Sequence, residues 1–413
     1  MNEEQTRTAF LTLYLASCLL NGLLPDSEKV HTAVLFLKNE NNPESITDLY
    51  SDNLRLLYNF CDFHSLTALI CSALESADAF AEADPDIIHL WKEAKNKSIR
   101  KTILIDAERK KIEKYMDQCE IWHVPLKGSI LKDLYPGFGL RQMADVDILI
   151  DNAYRKQIRD YMEERGYSVE KYKITKHDVY YKPPVYNMEI HMDLFDIRQN
   201  SEWTNYYRNV KDRLLPDTDN SFGYHFKPED FYIHIVLHAY MHFFEGGTGL
   251  RTLTDEYVFL NEYEKHLDHN YIRQELTKLD ILEFEQKLRR LSEHILKNPN
   301  LSPELSPTET AFLNEFIRSG THGLTQFRIM HQIENLQGKG SAPDAQGRLH
   351  WYLFRFFPNR EWCRYRFPLV YQYPVLLPFL YVYRLFSIPF VSRTRRRVLS
   401  ELKGIRKLRR NEK

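Results

Sequence analysis

The sequence predicts an α+β fold, a small mixed β-sheet core embedded between N-terminal and C-terminal helical regions. Near the start, apolar residues recur at three- and four-residue spacing (Leu11, Tyr14, Leu15, Cys18, Leu19), which is the helical period. Around Ile121 the texture changes to short β-rich runs punctuated by Gly, Pro and Asn. The composition agrees: 413 residues, 43% hydrophobic, 13% aromatic and 27% charged. That describes an ordered chain long enough for two domains, or one with large decorations, and excludes a disordered, collagen-like or disulfide-scaffold protein.

Residues 1–119 read as a helical N-terminal region. Met1 to Arg7 carries two acids and one Arg, unlike the basic opening of a signal peptide. Phe10 to Leu24 is too short to cross a bilayer and breaks at Asn21-Gly22, so it reads as a core helix. Asp26 or Ser27 caps the next helix, and Pro85 opens a long charged one running to about Cys119. Residues 120–197 read as a compact α/β core. Its β-rich runs are Ile121–Leu126, Val146–Ile150, Ser168–Ile174, Val179–Lys182 and Met188–Leu194, with a helix over Tyr154–Gly166. Residues 198–340 form a helical domain, resuming at Pro228, that completes a cleft. Residues 341–413 hold a flexible loop (Ser341–Gln346), an aromatic and Pro-rich segment, and a basic tail.

The 56 Lys plus Arg nearly balance 57 Asp plus Glu, which speaks against long nucleic acid as a partner. The balance is uneven along the chain: Arg393 to Lys413 holds ten Lys/Arg and two Glu, leaving −9 on residues 1–392. Five cysteines with no C-x-x-C pair argue against a disulfide framework or zinc knuckle and fit a reducing cytoplasm. Phe367–Val391 is apolar but contains Pro368, Pro374, Pro378, Pro389 and Arg384, a poor continuous membrane span. Either it packs on the helical domain beside a solvated basic tail, or segment and tail together make a weak peripheral contact with anionic lipid.

The chemistry concentrates in Leu126-Lys127-Gly128-Ser129, Arg141 and Asp145-Val146-Asp147-Ile148-Leu149. Side chains alternate along a strand, so Asp145 and Asp147 share one face, about 7 Å apart, while Val146 and Ile148 point into the core. Two carboxylates so placed repel unless a cation sits between them, and Mg²⁺ prefers carboxylates with phosphate oxygens. Gly128-Ser129 follows a strand and precedes a short helix, where free N–H groups suit a phosphate, although a simple tight turn would look the same. Arg141 could neutralise a triphosphate with its fork or could be a surface arginine. Met188-Glu189-Ile190-His191 adds a third acid among apolar neighbours, costly to desolvate without a partner, with Glu189 and His191 on one face.

This order, Gly-Ser, then an acid–apolar–acid strand, then an apolar–acid–apolar strand, resembles the signature of the nucleotidyltransferase superfamily related to DNA polymerase beta. More narrowly, "LKGSILKDLYP", Arg141, "DVDILI" and "EIH" resemble a family of bacterial nucleotidyltransferases, over about residues 120–255. The resemblance implies that Asp145, Asp147 and Glu189 are the catalytic carboxylates and hold Mg²⁺ (or Mn²⁺). It implies that Lys127, Gly128 and Ser129 hold the phosphates of an NTP, with Arg141, His191, His238, His242, Arg251 and Asp255 lining the same cleft. Two departures bear on the phosphate loop: fifteen residues separate Ser129 from Asp145, more than is usual, and the second Gly of the commoner Gly-Gly form is a Ser.

His234, His238 and His242 fall at i, i+4 and i+8 and form one helix stripe. Without an H-E-x-x-H motif or a nearby Cys, packing inside is the plainer reading than zinc. Gly246-Gly247-Thr248-Gly249 lacks the Lys-Ser/Thr of a phosphate loop and reads as a helix end and turn. The expected function is a metal-dependent transfer of an NMP from an NTP to an unidentified hydroxyl acceptor, in polysaccharide or small-molecule modification. The competing readings are a non-catalytic nucleotide-binding regulator of the same fold and a membrane-surface interaction protein.

Overall fold

The computed structural model describes residues 2–38, 45–197, 200–218, 220–321, 323–337 and 345–390. The basic tail, 393–413, and residues 341–344 of the expected loop lie outside the described residues. Ala345 and Gln346 already belong to a helix.

Five helices open the chain: α1 (Glu3–Leu20), α2 (Ser27–Leu35), α3 (Ile46–Phe63), α4 (Thr67–Ser76) and α5 (Pro85–Gln118). Apart from α4, their starts follow from side-chain oxygens that accept orphan N–H groups. Asp26 caps α2, accepting from the Lys29 amide at 3.0 Å. Asp84 caps α5 and Pro85 fills its first turn, where a missing N–H costs nothing.

A mixed seven-stranded sheet follows, made of β1 (His123–Pro125), β2 (Val146–Ile150), β3 (Ser168–Lys171), β4 (His177–Lys182), β5 (Tyr186–His191), β6 (Leu214–Asp217) and β7 (Asn220–Phe226). Its order is β3-β4-β5-β2-β1-β7-β6. The β2–β5 and β1–β7 pairs are parallel and the others antiparallel. The sheet does not stop at residue 197, because β6 and β7, read from sequence as part of a helical stretch, join its far edge.

Alternation decides what each face meets. Val146, Ile148, Ile150, Met188 and Ile190 pack with Ile105 and Ile112 of α5 and with Ile158 and Met162 of α7 (Arg155–Glu164), the expected Tyr154–Gly166 helix. The opposite face carries Asp147, Glu189 and His191, and it looks toward a second helical layer. The core segment also contains the short α6 (Gly128–Leu131) and is followed by α8 (Ser201–Tyr206).

The second layer comprises α9 (Pro228–Glu245), α10 (Arg251–Tyr263), α11 (His269–Lys278), α12 (Leu282–Leu296) and α13 (Pro307–Ser319). Its core is continuous with α1, α3 and α4 through Leu11, Leu15, Leu54, Leu253, Leu288 and Phe316. Buried inside this layer, the Tyr232 phenol oxygen lies 2.6 Å from Glu256 Oε1 and 2.8 Å from Glu285 Oε1. One phenolic proton cannot satisfy two carboxylates, so one of the acids must donate a proton of its own. Burial, with Glu285 adding to it, pushes Glu256 up to about 8. The folded chain therefore holds a proton that the unfolded chain releases near the ordinary carboxylate range. Stability is complete below about pH 4.5 and declines as pH rises toward 8. Glu256→Gln is expected to match the parent near pH 5 and to exceed it at pH 8 by on the order of 2–4 kcal/mol, read by urea denaturation at both pH values. An unchanged pH slope would disprove the shared proton.

The chain continues through α14 (Thr325–Gln337), α15 (Ala345–Phe356), α16 (Arg360–Arg366), α17 (Pro368–Gln372) and α18 (Leu377–Phe390). Pro368 and Pro374 each open a new short helix and so divide the apolar stretch, whereas Pro378 lies in the first turn of α18 and Pro389 near its end. Among the described residues, no helix is long and apolar enough to cross a membrane.

Candidate active site

Pairing between strands assembles the centre. Asp147 on β2 lies beside Glu189 on β5, and His177 on β4 lies beside His191 on β5. Residues paired across neighbouring strands share a face, so three strands deliver two carboxylates and two imidazoles to one patch. Asp145, one residue before β2, lies two residues from Asp147 and lines the same cavity.

Asp147 is buried and accepts from Lys127 Nζ at 2.8 Å, and His191 Nε2 lies 2.7 Å from the same oxygen. Burial alone would raise its pKa, but the Lys127 charge and the His191 contact outweigh it and hold Asp147 below the usual carboxylate range. Asp145 goes the other way. Burial first, then the charges of Asp147 and Glu189, push it up to about 6. Glu189 is also desolvated, yet His191 keeps it below its ordinary value. Three carboxylates thus crowd a site where Lys127 answers mainly one of them.

Lys127 holds this place at a conformational cost. Its φ is +48° and its ψ −115°, a region open to glycine but strained for a residue with a Cβ, at about 1–3 kcal/mol. The side chain explains why the position is not Gly, since its ammonium reaches Asp147. Next to it, Gly128 has no room for a side chain: an added Cβ would lie 2.5 Å from Arg141 Nη1 and 3.1 Å from Met143 Cε. The Gly is therefore required by the arginine packed on it.

Arg141 donates from Nε and Nη2 to the two oxygens of Asp255 at 2.7 and 2.8 Å, and the Tyr135 hydroxyl donates to Asp255 at 2.8 Å. Its fork is engaged by α10. Arg251 behaves differently. It is half-buried, it donates to the Gln142 carbonyl at 3.0 Å, and desolvation followed by the Arg141 charge lowers its pKa. Lys176 Nζ donates to the Leu194 carbonyl at 2.6 Å, and burial, then Lys127, lowers it to about 8. Both cations line the cavity.

The cavity has a volume of about 470 Å³, within the range of small-molecule sites. Of the residues nominated from sequence, Lys127, Gly128, Arg141, Asp145, Asp147, Glu189, His191, His238, His242, Arg251 and Asp255 line it together. Ser129 does not line it: its hydroxyl is buried with no hydrogen-bond partner among the described residues. On α9, His238 and His242 face the cavity with their Nε2 atoms 3.0 Å apart, and burial with the nearby lysines pushes both below their ordinary values. His234, on the same stripe, is instead enclosed by the rings of Phe195, Tyr207 and Phe226.

A family described as an uncharacterised nucleotidyltransferase matches residues 51–297, which span the whole sheet and the helices α4 to α12. The chain belongs to this nucleotidyltransferase family. No curated protein and no solved structure matches it. The family match contains every residue nominated above, from Lys127 to Asp255.

Lys176 and His177 are among the cavity residues of this nucleotidyltransferase that were not nominated from sequence. The signal for His177 was present. In His177-Asp178-Val179-Tyr180 it stands two residues before Val179, so extending the strand by one alternation places it on the carboxylate face. Lys176 carries no such signal, since only the loop before β4 turns it inward.

Proposed function

We propose that this chain transfers a nucleoside monophosphate from an NTP to a hydroxyl acceptor, as a relative of the superfamily related to DNA polymerase beta. What supports the reading most is the convergence of Asp145, Asp147 and Glu189 on one sheet face, with Asp145 pushed to about 6 by its neighbours. Such a donor set fits divalent cations, Mg²⁺ or Mn²⁺, held by these three carboxylates. A cation bound there supplies the charge that acidifies an acceptor hydroxyl and steadies a leaving pyrophosphate. Glu189 would orient the acceptor oxygen, and Arg251 and Lys176 would face the phosphates from the other side of the cavity. Arg141, held by Asp255, acts as a positioning residue for the Gly128 loop. Catalysis on this plan is positioning and charge neutralisation. The test incubates the protein with each NTP and Mg²⁺ or Mn²⁺ over sugar, small-molecule and protein hydroxyl acceptors, reading mass shifts. A gain equal to one NMP supports the reading. Bound nucleotide without any product would favour a nucleotide-binding regulator instead.

We also infer a peripheral contact with anionic lipid through α18. Phe379, Val382, Tyr383 and Phe386 stand at i, i+3, i+4 and i+7, all more than half exposed, with Leu369 and Val375 exposed in the segment before them. Arg384, which makes the segment a poor span, does not interrupt this stripe. It donates to the Arg355 carbonyl and lies 4.6 Å from the Trp362 ring. An apolar stripe followed in the sequence by a segment of net charge +8 suits an anionic bilayer surface, at about 1 kcal/mol per basic residue near it. Phe379→Glu with Phe386→Glu is expected to cut co-sedimentation with phosphatidylglycerol vesicles at least tenfold. Equal sedimentation by parent and variant, or equal binding to neutral vesicles, would remove the contact.

A further inference from the structure

We propose that His177, Glu189 and His191 form a mixed nitrogen–oxygen cation site that takes a borderline transition ion, of the class of Mn²⁺, Co²⁺ or Zn²⁺, in preference to Mg²⁺. The proposal rests on the reading of Glu189 as a cation ligand and adds two imidazoles to it. Three strands build the site. His177 and His191 are opposite each other across β4 and β5, and Glu189 precedes His191 by one alternation on the same face.

The two imidazole–carboxylate separations are those of ligands. His177 Nε2 lies 3.5 Å and His191 Nε2 lies 3.7 Å from Glu189 Oε2, and one ligand atom from each residue falls within 4.8 Å of the others. Atoms bound at about 2.0–2.2 Å to one ion stand roughly 3–4 Å from each other. Both imidazole–Glu189 distances exceed the 2.7–3.2 Å of a good hydrogen bond, so direct hydrogen bonding to Glu189 does not account for the convergence. His191 Nε2 also lies 2.7 Å from Asp147 Oδ1, so an ion bound through this nitrogen takes the place of that hydrogen bond. The ligand chemistry sets the ion. Mg²⁺ demands oxygen ligands in near-ideal octahedra, whereas imidazole suits the later first-row ions.

The experiment titrates the full-length protein with Co²⁺, following visible absorption and heat. One ion is expected to bind and to survive a large excess of Mg²⁺. Affinity should fall by roughly tenfold or more in His177→Gln and His191→Gln, a loss typical of weakened metal ligation. Wild-type affinity in either histidine variant, or displacement by Mg²⁺ at comparable concentration, would overturn the site. Because a buried histidine variant can fail to fold, Mn²⁺ bound to the unaltered chain provides a second reading by pulsed electron paramagnetic resonance. Coupling to imidazole nitrogen supports the site and its absence overturns it. Nitrogen coupling without nucleotidyl transfer would remove the transferase reading alone, and transfer supported by Mg²⁺ without nitrogen coupling would remove this site alone.

Discussion

Asp145→Asn and Asp147→Asn are each expected to lower nucleotidyl transfer by about three orders of magnitude or more, and to move stability in opposite directions. On the proposed assignment the activity loss is common to both, because each variant removes a ligand charge that the reacting phosphates and acceptor would depend on. Their environments separate the two in stability. Asp145 is the crowded acid, raised to about 6, so its share of stability declines as pH climbs from 3.8 through 6. Replacing it by Asn removes that penalty, and the variant is expected to equal or exceed the parent at pH 7.5. Asp147 is paired with Lys127 and His191. Its Asn variant leaves the half-buried Lys127 ammonium without its carboxylate, and since losing one partner of a fully buried pair costs about 3–5 kcal/mol, a loss toward the lower end of that range is expected. Release of labelled pyrophosphate measures the first effect and urea denaturation at pH 7.5 the second. Full activity in either variant would sink the assignment of the carboxylates, and equal destabilisation of both would sink the electrostatic asymmetry.

The carboxylate patch was legible in the sequence because it depends on local alternation. Asp145-Val146-Asp147-Ile148 states its own faces, and Met188-Glu189-Ile190-His191 does the same on a second strand. Caps were legible for a similar reason, with Asp26 and Pro85 acting within one helical turn of themselves. What stayed hidden was non-local. The β7 strand, Asn220–Phe226, meets β1 through a parallel pairing of His123 with Gly223, one hundred residues away, and its Ser, Gly and His interrupt the apolar alternation that marks a strand. The strained backbone of Lys127 is invisible in a residue type that usually avoids positive φ. The packing against Gly128 was hidden for the same non-local reason. Its missing Cβ makes room for Arg141, thirteen positions on, which in turn is held by Asp255 from another helical layer.

That last linkage gives the second large effect. Asp255→Ala is expected to destabilise the fold by about 3–5 kcal/mol, because the Arg141 guanidinium would remain buried without its carboxylate. Both oxygens of Asp255 are used, at 2.7 and 2.8 Å to Arg141, and Tyr135 shares one of them at 2.8 Å. The freed guanidinium no longer holds its place against Gly128, so activity falls together with stability. Asp255→Asn keeps one good acceptor and should fall between the parent and the Ala variant. Replacing both partners by apolar residues of similar volume, Arg141→Met with Asp255→Leu, should recover most of the stability, since the unpaired charge is gone. It should not recover activity, because the Met side chain cannot reproduce the planar support beneath the Gly128 loop. Urea denaturation and steady-state kinetics on the three variants separate this role from direct contact with nucleotide. A positioning pair lowers stability and kcat, whereas a nucleotide contact raises KM in a chain of parental stability. An Asp255→Ala variant that melts with the parent and differs only in KM would return Asp255 to the nucleotide and remove it from the scaffold.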